Sequence, residues 1–231
     1  MKKIIVLLFI LCSYTLIFAQ TVSDSLLPGL EAYSREDWDA AILFFKKISA
    51  NKSTASDDAM YWLIMSELSA DDYKSALTDS NTFLAKYKDS KRVPDLCYQK
   101  GRALYQLKQY DEAVKQLYSF LKDYPDHKLT PSALYWIAES LFNTKNYERA
   151  ALFYTMIVED YKGSPKYEAC FYRLSLIKQK EREEELLELL KVTHEESLRA
   201  AEEYEKKSQK YEQAILAYQN RIRELEAQLN K

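Results

Sequence analysis

The side chains that usually make and break bonds are few in this chain and poorly placed for it. Among its 231 residues there are two histidines and three cysteines. His127 follows a Pro125-Asp126 step and His194 sits in a charged run. Neither has a second His or Cys at metal-ligand spacing. No Gly-x-Ser-x-Gly elbow is present for an acyl-transfer serine, and three glycines in the whole chain leave none for a phosphate-cradling loop. Glu183-Glu184-Glu185 are consecutive on a helical stretch, so they point in different directions and form no acid–base pair. The reading is of a non-enzyme: no catalytic residue, no cofactor and no metal site is expected.

The chemistry that does recur is aromatic. Tyr61, Tyr98 and Tyr135 are 37 residues apart, and Phe171 follows 36 later. Seven positions beyond these stand Leu68, Tyr105, Phe142 and Lys178, with Tyr33 holding that place in the first copy. Arg102, Gln106, Glu139 and Asn143 lie among them. Aromatic and arginine side chains anchor most protein–protein hot spots, and a strip of them suits an extended or helical peptide. The expected protein-binding residues are Tyr61, Tyr98, Arg102, Tyr105, Tyr135, Glu139, Phe142 and Phe171. The same rings would serve equally well as packing between neighbouring helices, and both readings stand.

A repeat positions them. Ala41, Ala76, Ala113 and Ala150 each close an aromatic-x-x-Ala step, at intervals of 35 to 37 residues. A period of that length without strand signals means stacked helix pairs, none able to bury its apolar face alone. Twelve residues before the alanine stands a small residue in three copies, Gly29, Gly101 and Ala138, where two helices approach closely. Four and seven residues after it come large apolar ones: Phe45 and Ile48, Leu117 and Phe120, Tyr154 and Ile157. That is the stripe of a packed helix. Thr130-Pro131 and Ser164-Pro165 read as an N-cap followed by proline at the first helical position. First helices are expected near 22–34, 55–70, 92–108, 130–144 and 165–179, and second helices near 37–51, 72–88, 110–124, 147–161 and 182–193.

Gly101, Tyr110, Ala113 and Pro125 resemble the tetratricopeptide repeat, which places Gly, Tyr, Ala and Pro at these relative positions. The resemblance covers about residues 22–190. It implies an all-α solenoid of about five helix pairs, with first helices lining a concave groove and the aromatic strip facing into it. Segment 129–175, with Pro131-Ser132-Ala133-Leu134-Tyr135-Trp136 and Asn146-Tyr147-Glu148-Arg149-Ala150, is similar to repeats of exported envelope proteins. The Tol-Pal-associated periplasmic family is nearest, and the lipoprotein of the outer-membrane barrel-assembly complex is more distant. The first family carries its coiled coil ahead of its repeats, whereas here the charged helix follows them. The resemblance implies a scaffold that binds envelope proteins.

Residues 1–19 read as a secretory leader. Lys2-Lys3 precede the apolar run Ile4 to Leu11, and Ile17-Phe18-Ala19 offers a cleavage site before Gln20. The expected location is the periplasm. Lipidation at Cys12 is the weaker alternative, since Leu11 stands where a lipobox has a small residue. No later apolar run is long enough to span a membrane. Losing Lys2 and Lys3 moves the net charge from −2 to −4, too mild to mark a nucleic-acid binder. Cys97 and Cys170 sit two repeats apart, roughly 20 Å at ordinary helix spacing, so they are expected to be free thiols.

The domain reading is a leader over 1–19, a solenoid over 20–193 and a long charged helix over 194–231. From Ala201 a heptad seam places Ala201, Ser208, Ile215, Ile222 and Leu229 at a, and Tyr204, Tyr211, Tyr218 and Leu225 at d. Lys207 and Arg221 fall at g; Glu205, Glu212 and Glu226 fall at e. Self-association as a homo-oligomer through 201–229, capping of the solenoid's open end and binding of another protein's helix are all compatible with that seam.

Overall fold

Each helix pair turns in the same way. The first helix ends on a residue in the left-handed region: Glu36, Asp71, Lys108 and Lys145, with φ of 59°, 59°, 61° and 62°. The next amide reaches back five residues, as in Asp72 N–H to Glu67 C=O and Gln109 N–H to Leu104 C=O, both 2.9 Å. This is a Schellman closure, here made without glycine. The second helix then starts at once. Asp37, Asp72 and Asn146 cap it by accepting from Ala40, Ser75 and Arg149 N–H, and Gln109 makes no side-chain cap.

The computed structural model describes residues 26–51 and 56–229. The leader, Cys12 and Gln20 lie outside the described residues. Helix α1 covers 26–34. After it come α2 (Trp38–Ala50), α3 (Asp57–Ser69), α4 (Tyr73–Lys86), α5 (Val93–Gln106), α6 (Tyr110–Asp123), α7 (Thr130–Asn143), α8 (Tyr147–Asp160) and α9 (Tyr167–Leu229). The fold is all-α, a solenoid of helix pairs ending in a long helix. Each helix from α2 to α7 packs on its successor, and α5 also meets α7, first helix against first helix.

The four aligned alanines are at most 1% exposed. A Cβ on Gly29 would lie 2.7 Å from Phe45, and one on Gly101 2.5 Å from Leu117, so both glycines are there for close approach. Phe45, Leu117, Phe120, Tyr154 and Ile157 fill the core behind them. Trp62 packs against the cores of both the first and second pairs and so ties them together. Cys97 and Cys170 are free thiols.

Two local expectations change. Thr130 is not an N-cap: the helix already includes it, and its hydroxyl donates to Pro125 C=O at 3.0 Å. Ser164 accepts from Lys166 N–H at 3.1 Å, one turn before α9 begins. The separate helix expected over 182–193 does not form, and the solenoid limit expected at 193 falls inside α9. Nothing in the sequence stops the helix there, because no Gly or Pro follows Pro165 and the run from Lys178 to Leu190 is rich in good helix formers. Leu186 also stands where the repeat would need its close-packing alanine. Compact packing divides the chain at Leu174 and Ser175. Along α9 the heptad residues Tyr204, Tyr211, Ile215, Tyr218, Ile222 and Leu225 are all exposed; the side chain of Leu229 lies outside the description.

Candidate protein-binding face

The ladder residues sit on α3, α5, α7 and the start of α9, and the helix pairing brings them into two rows. In the leading row Tyr61 and Tyr98 are buried, Tyr135 is half-buried and Phe171 is 59% exposed. Burial is therefore graded along the repeat. Tyr98 is covered by the next first helix, whose Trp136 Nε1–H donates to the Tyr98 hydroxyl at 3.0 Å. Tyr61 lies under the Arg92 guanidinium, 4.4 Å from the ring centre, and Tyr135 under the Lys166 ammonium at 4.7 Å. Such cation–ring contacts contribute about 0.5–1 kcal/mol at exposed sites and more when desolvated. Burial pushes the phenols of Tyr61, Tyr98 and Tyr135 above the ordinary tyrosine value, so all three are neutral hydroxyls at physiological pH.

In the second row Tyr105 lies between Trp136 and Tyr110, with ring centres 4.7 and 5.5 Å away, and its hydroxyl accepts from Asn143 Nδ2 at 3.2 Å. Phe142 meets Tyr147 edge-on at 5.2 Å, and the Arg173 guanidinium lies 4.6 Å above it. The structure thus gathers Tyr98, Tyr105, Tyr135 and Phe142 around Trp136 and the two cations. Arg102 is half-buried and turns back to its own helix, donating to Gln99 Oε1 at 3.2 Å.

Glu139 is not a polar contact of the strip. It is 2% exposed, and its carboxylate takes the Tyr154 hydroxyl on Oε1 at 2.7 Å. Arg173 closes the cluster with Nε on Oε1 and Nη2 on Oε2, both 2.7 Å. This bidentate pairing raises the Arg173 pKa further, and burial next to Glu139 raises that of Tyr154. Nearby Cys170 is pushed up to about 11 by burial and by the same carboxylate.

Five contributors to this region were missed from sequence: Trp62, Trp136, Arg92, Lys166 and Arg173. A signal existed for four of them. Tyr61-Trp62 and Tyr135-Trp136 are the same dipeptide 74 residues apart, and Arg92 and Lys166 are also 74 apart. The ring-under-cation device therefore recurs every second repeat, a period that alignment on single repeats conceals.

A second departure lies on α3 and α4. Glu67 occupies the place taken by Ala32, Leu104 and Leu141 in the other copies. It is 2% exposed and its Oε2 is buried with no hydrogen-bond partner. Burial, with Asp79 beside it, pushes its carboxyl up to about 8. It borders a cleft of about 310 Å³ with Lys46, Lys74, Ser75, Thr78 and Asp79. Among the described residues no group of His, Cys, Asp or Glu side chains is arranged to hold a metal ion. No described helix is long and apolar enough to cross a membrane. What the ladder offers is neutral phenols, ring faces and fixed cations, which is chemistry for holding a surface.

A family model for the tetratricopeptide repeat matches residues 98–165, and one described as anaphase-promoting complex (cyclosome) subunit 3 matches residues 34–120. Several solved structures share the fold. A tetratricopeptide repeat protein from Parabacteroides merdae ATCC 43184 is 16% identical over 70% of this chain and 61% of its own, with a TM-score of 0.55. MamA from Desulfovibrio magneticus RS-1 is 15% identical over 70% of this chain and 96% of its own, also at 0.55. Another MamA structure reaches 0.58 at 14% identity, over 70% and 82%. The chain spans about three fifths of the Parabacteroides protein. No curated protein matches the sequence significantly.

Proposed function

The chain is a tetratricopeptide-repeat protein, and we propose that it is an exported adaptor of the cell envelope, holding a protein partner along the strip formed by its first helices. The observation that carries this reading is the gradient of burial along the ladder. Tyr61 and Tyr98 are closed off by their neighbours, whereas Tyr105, Tyr135 and Phe142 keep part of their faces open and Phe171 stands in solvent. Lys166, Arg173 and Asn143 border these rings. Open aromatic faces beside the Lys166 ammonium make an anchor of the kind hot spots use, and they suit a segment carrying apolar side chains and an acid opposite Lys166. The Lys2-Lys3 leader supports export, and the segment around Pro131 to Ala150 supports a role like that of the Tol-Pal-associated family.

In-cell crosslinking with mass spectrometry tests the reading, comparing wild type with Tyr135→Ala combined with Phe171→Ala. The expected result is loss of one envelope protein from the crosslinked set, with a thermal midpoint close to wild type. An unchanged set in a folded variant rejects the strip as the binding face. The same preparation reports location. A mature chain starting at Gln20 in the periplasmic fraction agrees with the proposal. A chain retained in the cytoplasm refutes export, and an acyl group on Cys12 transfers the protein to the barrel-assembly reading.

A further inference from the structure

Because α9 is a single helix over Tyr167–Leu229, the heptad register of its end carries upstream without a break. Counting back by sevens from Ala201 puts His194 and Leu187 at a; counting back from Tyr204 puts Ser197 and Leu190 at d. The seam therefore begins at Leu187 and runs to Leu229, about six heptads, half as long again as the stretch visible when a turn was expected near 182. Leu187 and Leu190 are each 66% exposed, like the tyrosines and isoleucines further along. Large apolar side chains left in water at this regular spacing mark an interaction surface.

We propose that residues 187–229 pair with a second copy of this chain as a parallel, in-register, two-stranded coiled coil. Charge selects the direction. In a parallel pair each g position meets the e position five residues on in the partner, so Lys207 faces Glu212 and Arg221 faces Glu226. The other g positions (Leu186, Thr193, Ala200, Ala214, Gln228) carry no charge, so no like-charge contact arises. An antiparallel pair sets e against e and g against g, which brings Glu205 onto the partner copy's Glu212 and Lys207 onto its own counterpart. The Lys191–Glu226 contact that this gains does not offset three like-charge crossings. Arg221 is bonded within its own helix to Glu224 at 3.0 Å, but both side chains are 62% exposed, and such a pair is readily exchanged.

The polar layers select the occupant. His194, Ser197 and Ser208 interrupt the apolar seam, and a buried polar layer is tolerated where the facing chain offers a polar group at the same level. A second copy in register does this at all three levels. A slip of one heptad sets His194 against Leu187 or Ala201 and leaves it without a partner, so the polar layers fix the register at some cost in affinity. This surface is independent of the aromatic strip, and neither proposal needs the other.

The mass of the full chain in solution, measured by light scattering across a concentration series, is the first test, and a dimer is expected at tens of micromolar. Tyr204→Cys reports direction. Oxidation should give a tryptic 204–204 crosslinked peptide, and a mixture with Leu225→Cys chains should give little 204–225 product. Ile215→Glu combined with Ile222→Glu should weaken the dimer about a hundredfold or more, with helix content and solenoid unfolding unchanged because both side chains are already exposed. A monomer at every concentration overturns the proposal. So does a trimer, a dominant 204–225 crosslink, or a double variant that dimerises like wild type.

Discussion

Glu67 in the second helix pair and Glu139 in the fourth are equally buried, 2% exposed each, yet the fold answers only one of the two charges. Glu139 receives three hydrogen bonds of 2.7 Å, from Tyr154 on the second helix of its own pair and from Arg173 on α9. Its charge is matched by a guanidinium and a hydroxyl, which offset the cost of burying it. Glu67 has Asp79 for a neighbour, an open cleft beside it and a buried oxygen without a donor. Its cheapest state is the protonated one. Burial alone therefore does not decide what a buried acid does; the partner supplied by the next helix decides it. The fourth pair uses its glutamate as a joint to α9, whereas the second pair keeps its own protonated beside Asp79.

The largest break in this comparison should come from Arg173→Ala. Removing one member of a buried pair leaves the other charge uncompensated, and the loss should be about 3–5 kcal/mol in urea unfolding. A loss below about 1 kcal/mol would mean that Glu139 takes up a proton or reaches water without strain, and the contrast with Glu67 would collapse.

Next in size is Glu67→Leu, which restores the residue that Leu104 and Leu141 supply elsewhere. The sign follows from linkage. The folded chain keeps the Glu67 proton up to about 8, whereas the unfolded chain releases it near the ordinary value of 4.5. Below 4.5 both states are protonated and the group contributes no pH dependence. As pH rises from about 4.5 to 8 the unfolded state binds fewer protons than the folded one, so wild-type stability falls through that window and levels off above it. Glu67→Leu should remove this slope and gain about 2–4 kcal/mol at pH 8 relative to wild type. A stability difference between the two chains that stays constant from pH 5 to 8.5 would refute the shift.

What could be read from sequence follows the same division. Positions whose role is set within one helix pair were legible: the alanines, Gly29 and Gly101, and the helix ends from α2 through α8 to a few residues. They depend on spacing along one chain segment, which a repeat displays several times. Arg173 and Glu139 are 34 residues apart and meet only because the side chain of Arg173 reaches back from the first turns of α9 to α7, so no local pattern marks them. Lys166 over Tyr135 is the same kind of contact, visible only once the 74-residue period is recognised. Glu67 was legible in principle, as an acid at a place held by Ala32, Leu104 and Leu141, but averaging over the repeat hides a single exception. The turn expected before 182 failed for a different reason. Repeat counting supplied it, while the residues themselves contain nothing that ends a helix.

The smallest effect sharpens the account of Glu139 by separating its two partners. Tyr154→Phe removes one hydroxyl from the carboxylate and leaves both Arg173 bonds in place. The ring stays, at 0% exposure, with its packing against Tyr135 at 6.4 Å between centres, so no cavity opens. Glu139 loses one of three donors but stays ion-paired, and the loss should be about 1–2 kcal/mol, the range for a hydrogen bond to a charged group. If Tyr154→Phe costs as much as Arg173→Ala, the three groups act as one unit, and combining the two changes should add little. If it costs nothing, the guanidinium alone satisfies Glu139. Glu67 would then need a single cation placed like Arg173, with no hydroxyl, to become the same kind of joint.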